Sequence, residues 1–175
     1  MAHFEKTISS KTVYEGNIFR VISDRVELEN GGSSQRDIVL HNGGVCIAPF
    51  DSDGRLILVR QFRYAMGEEV LEFPAGKLER SEQPALAAMR ELGEEIGMAA
   101  GELVPLGPVY PTVGYSSEII WCFRAAKLTP ITAHPDDDEF LTIEKYTLRE
   151  AERFAREGVI RDAKTLALLY RLAID

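Results

Sequence analysis

The pattern of apolar and polar positions changes its period along the chain. From residue 11 to 40 it alternates with period two. KTVYEG and NIFRVISDRVEL read as strands, Asn30-Gly31 supplies a hairpin turn, and SSQRDIVL returns as a third strand. This predicts an antiparallel β meander, on which Phe19 and Arg36 stand out as exposed side chains. Longer apolar runs follow: HNGGVCIAPF, RLILVRQFRYA and EEVLEFPAG, the first two separated by the turn DSDG. Arg60 and Arg63 sit near the end of the second run, and the third delivers the chain into a glycine turn at Gly76.

A helical period then takes over. Ser81 is the expected N-cap, Glu82 falls in the first turn, and Pro84 is tolerated there because its missing N–H is not needed. Leu86, Met89, Leu92 and Ile96 supply the predicted buried stripe, and Gly97 ends the helix. Gly93 costs about 1 kcal/mol relative to alanine, which points to close packing against another backbone. Beyond it come a short strand and a Pro/Gly loop (ELVPLGPVYPTVGYSSE), a central strand (EIIWCFRAAKL) and an acidic loop (TPITAHPDDDEF). The alternating strand LTIEKYT, a helix ending at Gly158 and a last helix capped by Asp162 complete the chain. Strands and helices do not alternate regularly, so the expected class is α+β with mixed sheets in layers.

Composition narrows the function more than the fold. The 175 residues are most simply one domain, large enough to bury a sizeable core. A net charge of −8 argues against a nucleic-acid surface, which needs a basic stripe. It leaves room for an anionic small molecule held by metal ions or a few arginines. No apolar run approaches the roughly 18 residues of a membrane span. The N-terminus lacks an apolar signal core, so no membrane partner and a reducing, cytoplasmic home are expected. Cys46 and Cys122 lie inside apolar runs and are expected to be buried free thiols.

Candidate chemistry concentrates between Gly76 and Met98. Glu91, Glu94 and Glu95 share a helix face beside Arg90, and hard divalent cations favour such oxygen ligands. Taken alone, this is more commonly a solvated acidic face with Arg90 as local counter-ion. The gapped spacing decides between the two. Gly76 is followed after five residues by Glu82, and after seven more by Arg90-Glu91-Leu92-Gly93-Glu94-Glu95-Ile96-Gly97-Met98. This resembles the Nudix box, GX5EX7REUXEEXGU with U aliphatic, at every fixed position. The resemblance implies a Nudix-type α/β/α sandwich with a mixed sheet at 41–175. The β meander of 1–40 precedes it, serves dimerisation and does not fold independently.

The same resemblance implies the chemistry. Divalent ions screen a diphosphate's charge and activate water for in-line attack on phosphorus. Glu91, Glu94 and Glu95 are the implied Mg²⁺ ligands, with Glu82 contributing from further out and the Ala75 carbonyl as a further ligand. Mn²⁺ is an acceptable substitute. Arg90 is implied to orient the carboxylates. LVRQFRYA, LEFPAGKLE, YPTVGYSSE and GVIRDAKTLALL resemble the ADP-ribose pyrophosphatase branch. That branch places Arg63 on the diphosphate or ribose, Glu118 and Pro111 in the loop lining the site, and Arg36 and Phe19 on phosphate and nucleobase across a homodimer. Glu139 is the implied general base, with Asp137 as its alternative. The implied reaction is hydrolysis of a nucleoside diphosphate sugar, with ADP-ribose to AMP and ribose 5-phosphate first and GDP-mannose as the runner-up. A non-catalytic nucleotide-sensing module is the alternative of another class.

Overall fold

The computed structural model describes residues 3–132 and 140–174. It forms two compact units, Met1–Gly43 with Tyr110–Ile119, and Gly44–Val109 with Ile120–Asp175.

In the first unit the alternating segments become β1 (Lys6–Glu15), β2 (Phe19–Glu27) and β3 (Ser33–His41), paired antiparallel in that order. Strand β1 is exposed at every position, and only Asp24 and Val26 of β2 are buried. Residues 110–119 hook onto β3 through backbone bonds, Val39 N–H to the Tyr115 carbonyl at 2.7 Å and Ser117 N–H to the Val39 carbonyl at 2.9 Å.

The second unit is built on a four-stranded sheet of β4 (Gly44–Pro49), β7 (Ala75–Lys77), β8 (Met98–Val109) and β9 (Ile120–Pro130), ordered β7-β4-β9-β8. Strand β4 runs parallel to β9 and antiparallel to β7, so the sheet is mixed. A three-stranded antiparallel sheet, β10-β5-β6, joins β5 (Leu56–Arg63), β6 (Glu68–Glu72) and β10 (Leu141–Tyr146). Period-two alternation sends side chains to opposite faces. Val45 and Ile47 of β4, with Phe123 and Ala125 of β9, pack with helix α1 (Pro84–Ile96) through Ala87, Ala88, Leu92 and Ile96. Cys46 and Ala48, with Cys122, pack instead with Ala151 of α2 (Leu148–Arg156) and Leu168 and Leu169 of α3 (Ala163–Ile174). Helices on both faces of a mixed sheet make the α/β/α layering. Both cysteines are buried and free.

Four details differ from the sequence expectation. Helix α1 begins at Pro84, not after Ser81: Ser81 has φ 66°, and the N-cap is Gln83, whose side chain makes no capping bond. Leu86 is 64% exposed. At about 100° per residue it lies opposite Glu95, and the helix turns Glu91 and Glu95 inward instead. A Cβ on Gly93 would meet the Ile131 side chain at 3.2 Å, so its neighbour is a side chain and not a backbone. Strand β8 is 12 residues long, because its pairing with β9 continues through a bulge between Pro105 and Gly107. Gly97 does end the helix, in the left-handed conformation at φ 64°.

Candidate active site

Strand β7 lies beside β4, with Ala75 opposite Cys46 and Gly76 opposite Val45. This fixes the backbone against which α1 packs. Glu91 and Glu95, one helical turn apart, are among the buried residues of the chain. The Ala75 N–H donates to Glu95 Oε2 at 3.2 Å. A Cβ added at Gly76 would fall 1.8 Å from Glu91 Oε1. Glycine is therefore required at 76 by space: the Glu91 carboxylate occupies the place of a side chain. Two carboxylates of the helix thus converge on the Ala75–Gly76 backbone.

Arg90 lies among the remaining acids. Its Nε and Nη2 donate to the two Glu82 carboxylate oxygens at 3.0 and 3.1 Å, and Nη2 also reaches the Lys77 carbonyl at 3.1 Å. Its Nη1 donates to Glu91 Oε1 at 2.8 Å and Glu94 Oε2 at 2.7 Å. Hydrogen bonding to Glu82 is the largest influence on the Arg90 pKa, which is pushed up. The same bond holds the Glu82 carboxyl below the ordinary carboxylate range. Three carboxylates, of Glu82, Glu91 and Glu94, bond one guanidinium, so the group keeps an excess of negative charge.

Arg63, at the end of β5, directs its Nε to Glu72 Oε1 at 2.6 Å. Glu72 is 1% exposed, and its other oxygen accepts from Lys164 Nζ at 2.5 Å. Lys164 also pairs with Asp162 at 3.0 Å. Burial works against the Lys164 ammonium, yet Glu72 and Asp162 more than offset it and hold its pKa above the usual lysine value. The sequence expectation gave Asp162 only a capping role, and gave Glu72 and Lys164 none. Their quoted neighbourhoods, LEFPAG and RDAKT, lie 92 residues apart, and a linear pattern does not show that they meet.

Residues 40–169 match the NUDIX domain family model. The chain belongs to the NUDIX family. Residues 5–44 of this NUDIX protein match a second family model, the nucleoside diphosphate sugar hydrolase N-terminal domain. It is 36% identical over 163 residues to the ADP-ribose pyrophosphatase of Bacillus subtilis, covering 92% of this chain and 88% of that protein. To the methanol dehydrogenase activator of Bacillus methanolicus it is 34% identical over 173 residues, covering 98% and 94%. A crystal structure of an ADP compounds hydrolase superposes with TM-score 0.87 at 25% identity, over 97% of this chain and 92% of that one.

NUDIX hydrolases generally need a divalent metal. The donor set here fits one: carboxylate oxygens of Glu91 and Glu95 against the backbone of Ala75 and Gly76, with Glu82 and Glu94 alongside. Among the described residues, no three acidic, histidine or cysteine side chains are arranged to hold an ion. Glu82, Glu91 and Glu94 are instead each paired with Arg90.

Four further candidates, Phe19, Arg36, Pro111 and Glu118, belong to the first unit. Phe19 is 40% exposed and its ring centroid lies 5.7 Å from that of Tyr14. Arg36 bonds both carboxylate oxygens of Glu5, at 2.9 and 2.5 Å, and also Ser34 Oγ. Pro111 and Glu118 are half-buried in the 110–119 loop, with Glu118 3.6 Å from His41 Nδ1. Glu139 and Asp137 lie outside the described residues. No helix among the described residues is long and apolar enough to cross a membrane.

Proposed function

We propose that this chain hydrolyses the diphosphate linkage of a nucleoside diphosphate sugar with Mg²⁺, and that ADP-ribose, giving AMP and ribose 5-phosphate, is its substrate. The observation that carries the proposal is the packing of the Glu91 and Glu95 carboxylates onto Ala75 and Gly76, which gathers hard oxygen donors from helix and strand. When bound, the ion supplies positive charge to the diphosphate and lowers the pKa of water. Glu91, Glu94 and Glu95 would hold it with the Ala75 carbonyl, and Glu82 would support them from further out. Arg90 orients Glu82, Glu91 and Glu94 by the bonds already described. Arg63 offers guanidinium donors to the diphosphate, a geometry that suits phosphate. Glu139 is assigned as the base that accepts the proton of the attacking water, with Asp137 as the alternative.

Phe19 and Arg36 are assigned nucleobase and phosphate contacts to the substrate of a second copy, with Pro111 and Glu118 lining the loop side. A homodimer is part of this proposal. The names of two relatives support the adenosine diphosphate class, since one is an ADP-ribose pyrophosphatase and the other an ADP compounds hydrolase.

Turnover of ADP-ribose, ADP-glucose, GDP-mannose, NADH and diadenosine polyphosphates with Mg²⁺ tests the reading. ADP-ribose is expected to give the highest kcat/KM. A faster GDP-mannose reaction would keep the chemistry and replace the substrate, and no cleavage above buffer would reject the substrate class. Glu94→Gln and Glu95→Gln are each expected to lower turnover by about two to three orders of magnitude with the fold retained, as loss of a metal ligand does. Parental activity in both would overturn the assignment of these residues as metal ligands. Glu139→Gln should lower kcat more than KM, and a change in KM alone would reassign it to binding.

A further inference from the structure

Lys164 is in an unfavourable place for a lysine. It is the second residue of α3, where the helix dipole opposes a cation, and its side chain is only 17% exposed. Loss of hydration and the dipole both act against it there. What holds it is a pair of carboxylates, Glu72 at 2.5 Å and Asp162 at 3.0 Å. The Asp162 carboxylate also caps α3, accepting from the Thr165 N–H at 2.9 Å and hydroxyl at 2.6 Å. The Thr165 hydroxyl in turn accepts the Phe73 N–H at 3.0 Å. The start of α3 is thereby fixed to the end of β6 at two successive residues, Glu72 by charge and Phe73 by backbone.

The charges around Glu72 balance in number: Arg63 and Lys164 against Glu72 and Asp162. Each oxygen of Glu72 has its own cation, Oε1 the Arg63 Nε and Oε2 the Lys164 Nζ. Among the described residues, Nε is the only nitrogen of Arg63 that is hydrogen-bonded, and the side chain is 39% exposed. Its two terminal nitrogens therefore remain to receive an anion. Without Lys164, the half-buried Arg63 guanidinium would face Glu72 and Asp162 with no second cation to share them, and Glu95 also attracts it. The terminal nitrogens of Arg63 would be drawn to Glu72 Oε2 and Asp162.

We infer that Lys164 is a positioning residue: by occupying the second oxygen of Glu72 it keeps the terminal nitrogens of Arg63 turned outward for the substrate diphosphate. The inference rests on the proposed role of Arg63, and it assigns to α3 a part in substrate affinity that no contact with substrate requires.

Steady-state kinetics with ADP-ribose and Mg²⁺ test it on the full chain. Lys164→Met is expected to raise KM about tenfold with kcat within about threefold, because uniform binding is what it removes. Lys164→Arg, which keeps the charge, should restore most of the affinity. In an Arg63→Ala background the Lys164→Met change should add less than about twofold, since the two act through one contact. Should Lys164→Met alone not fold, Lys164→Gln, which removes the cation but leaves Glu72 and Asp162 charged and keeps a polar side chain, is expected to show the same rise. Parental KM in whichever of these folds, beside a raised KM in Arg63→Ala, overturns the positioning role and leaves the function standing. A tenfold effect that persists without Arg63 overturns it too. Parental KM in Arg63→Ala removes the diphosphate role of Arg63 and this inference with it.

Discussion

At the scale of single residues, Gly76 bears the sharpest constraint. The Glu91 carboxylate stands where its Cβ would be, and Glu91 is itself bonded to Arg90. Gly76→Ala must push that carboxylate aside and disturb the Arg90 bonds to Glu82 and Glu94 with it. The expected cost is about 1–3 kcal/mol in urea unfolding, as for other overpacked sites. Turnover should fall by about a hundredfold, because misplacing a ligating group by an ångström has that order of effect. A variant as stable and active as the parent would mean that the carboxylate need not lie there. Residues of this kind were legible in the sequence because the gapped spacing is local: Gly76, Glu82, Arg90, Glu91, Glu94 and Glu95 lie within 20 residues. Glu72 and Lys164 were not, because each is an ordinary charged residue until the fold brings them together.

Elements show the same division between local and distant causes. Strand periods and the terminal glycine of α1 were readable, being set by near neighbours. The exposed Leu86 and the start at Pro84 were not, because the inward turn of Glu91 and Glu95 toward β7 decides the helix's rotation. The start left a gap that can be filled. Gln83 has extended backbone (φ −76°, ψ 132°) suited to a cap but makes no capping bond, so Gln83→Ser should stabilise the chain by about 1 kcal/mol. Urea midpoints would show it, and an unchanged midpoint would mean that the 79–83 turn excludes the serine rotamer.

Helix α3 offers a test in pH. Burial raises the Asp162 pKa, but Lys164 and the Thr165 bonds outweigh it and hold the group below the ordinary aspartate value. A depressed folded pKa contributes stability above the unfolded value of about 3.9, and that stability is lost as pH falls through the folded value. Asp162→Asn should therefore cost about 1–3 kcal/mol at pH 7, with the deficit against the parent shrinking below about pH 4. Lys164 titrates the other way: its raised pKa gives stability that is lost only as pH rises beyond about 10.4. A deficit that stays constant from pH 7 to 3 would show that the Asp162 charge is not what anchors the helix.

For the whole molecule, the first unit raises the question of what covers it. Strand β1 is exposed at all ten positions, and Phe4, Ile8, Val13, Tyr14, Ile18 and Phe19 are each at least 40% exposed. Such a density of apolar side chains on one small sheet exceeds the scattered exposure of an ordinary surface. Asp24 Oδ1 is also buried with no hydrogen-bond partner among the described residues, a costly arrangement unless a donor is supplied from elsewhere. A second copy meets both needs, and we propose that the meander is the contact of a homodimer. Sedimentation at micromolar concentration should give twice the 19.5 kDa chain mass, and Ile8→Glu with Val13→Glu should give the single mass. If Phe19 and Arg36 serve the partner's substrate, that monomer should bind ADP-ribose at least about tenfold more weakly, while residues 44–109 keep their secondary structure and the box keeps its metal affinity. A parent that sediments as a monomer would remove the dimer and the roles of Phe19 and Arg36 together. A monomeric variant with parental KM would spare the dimer and remove those roles alone.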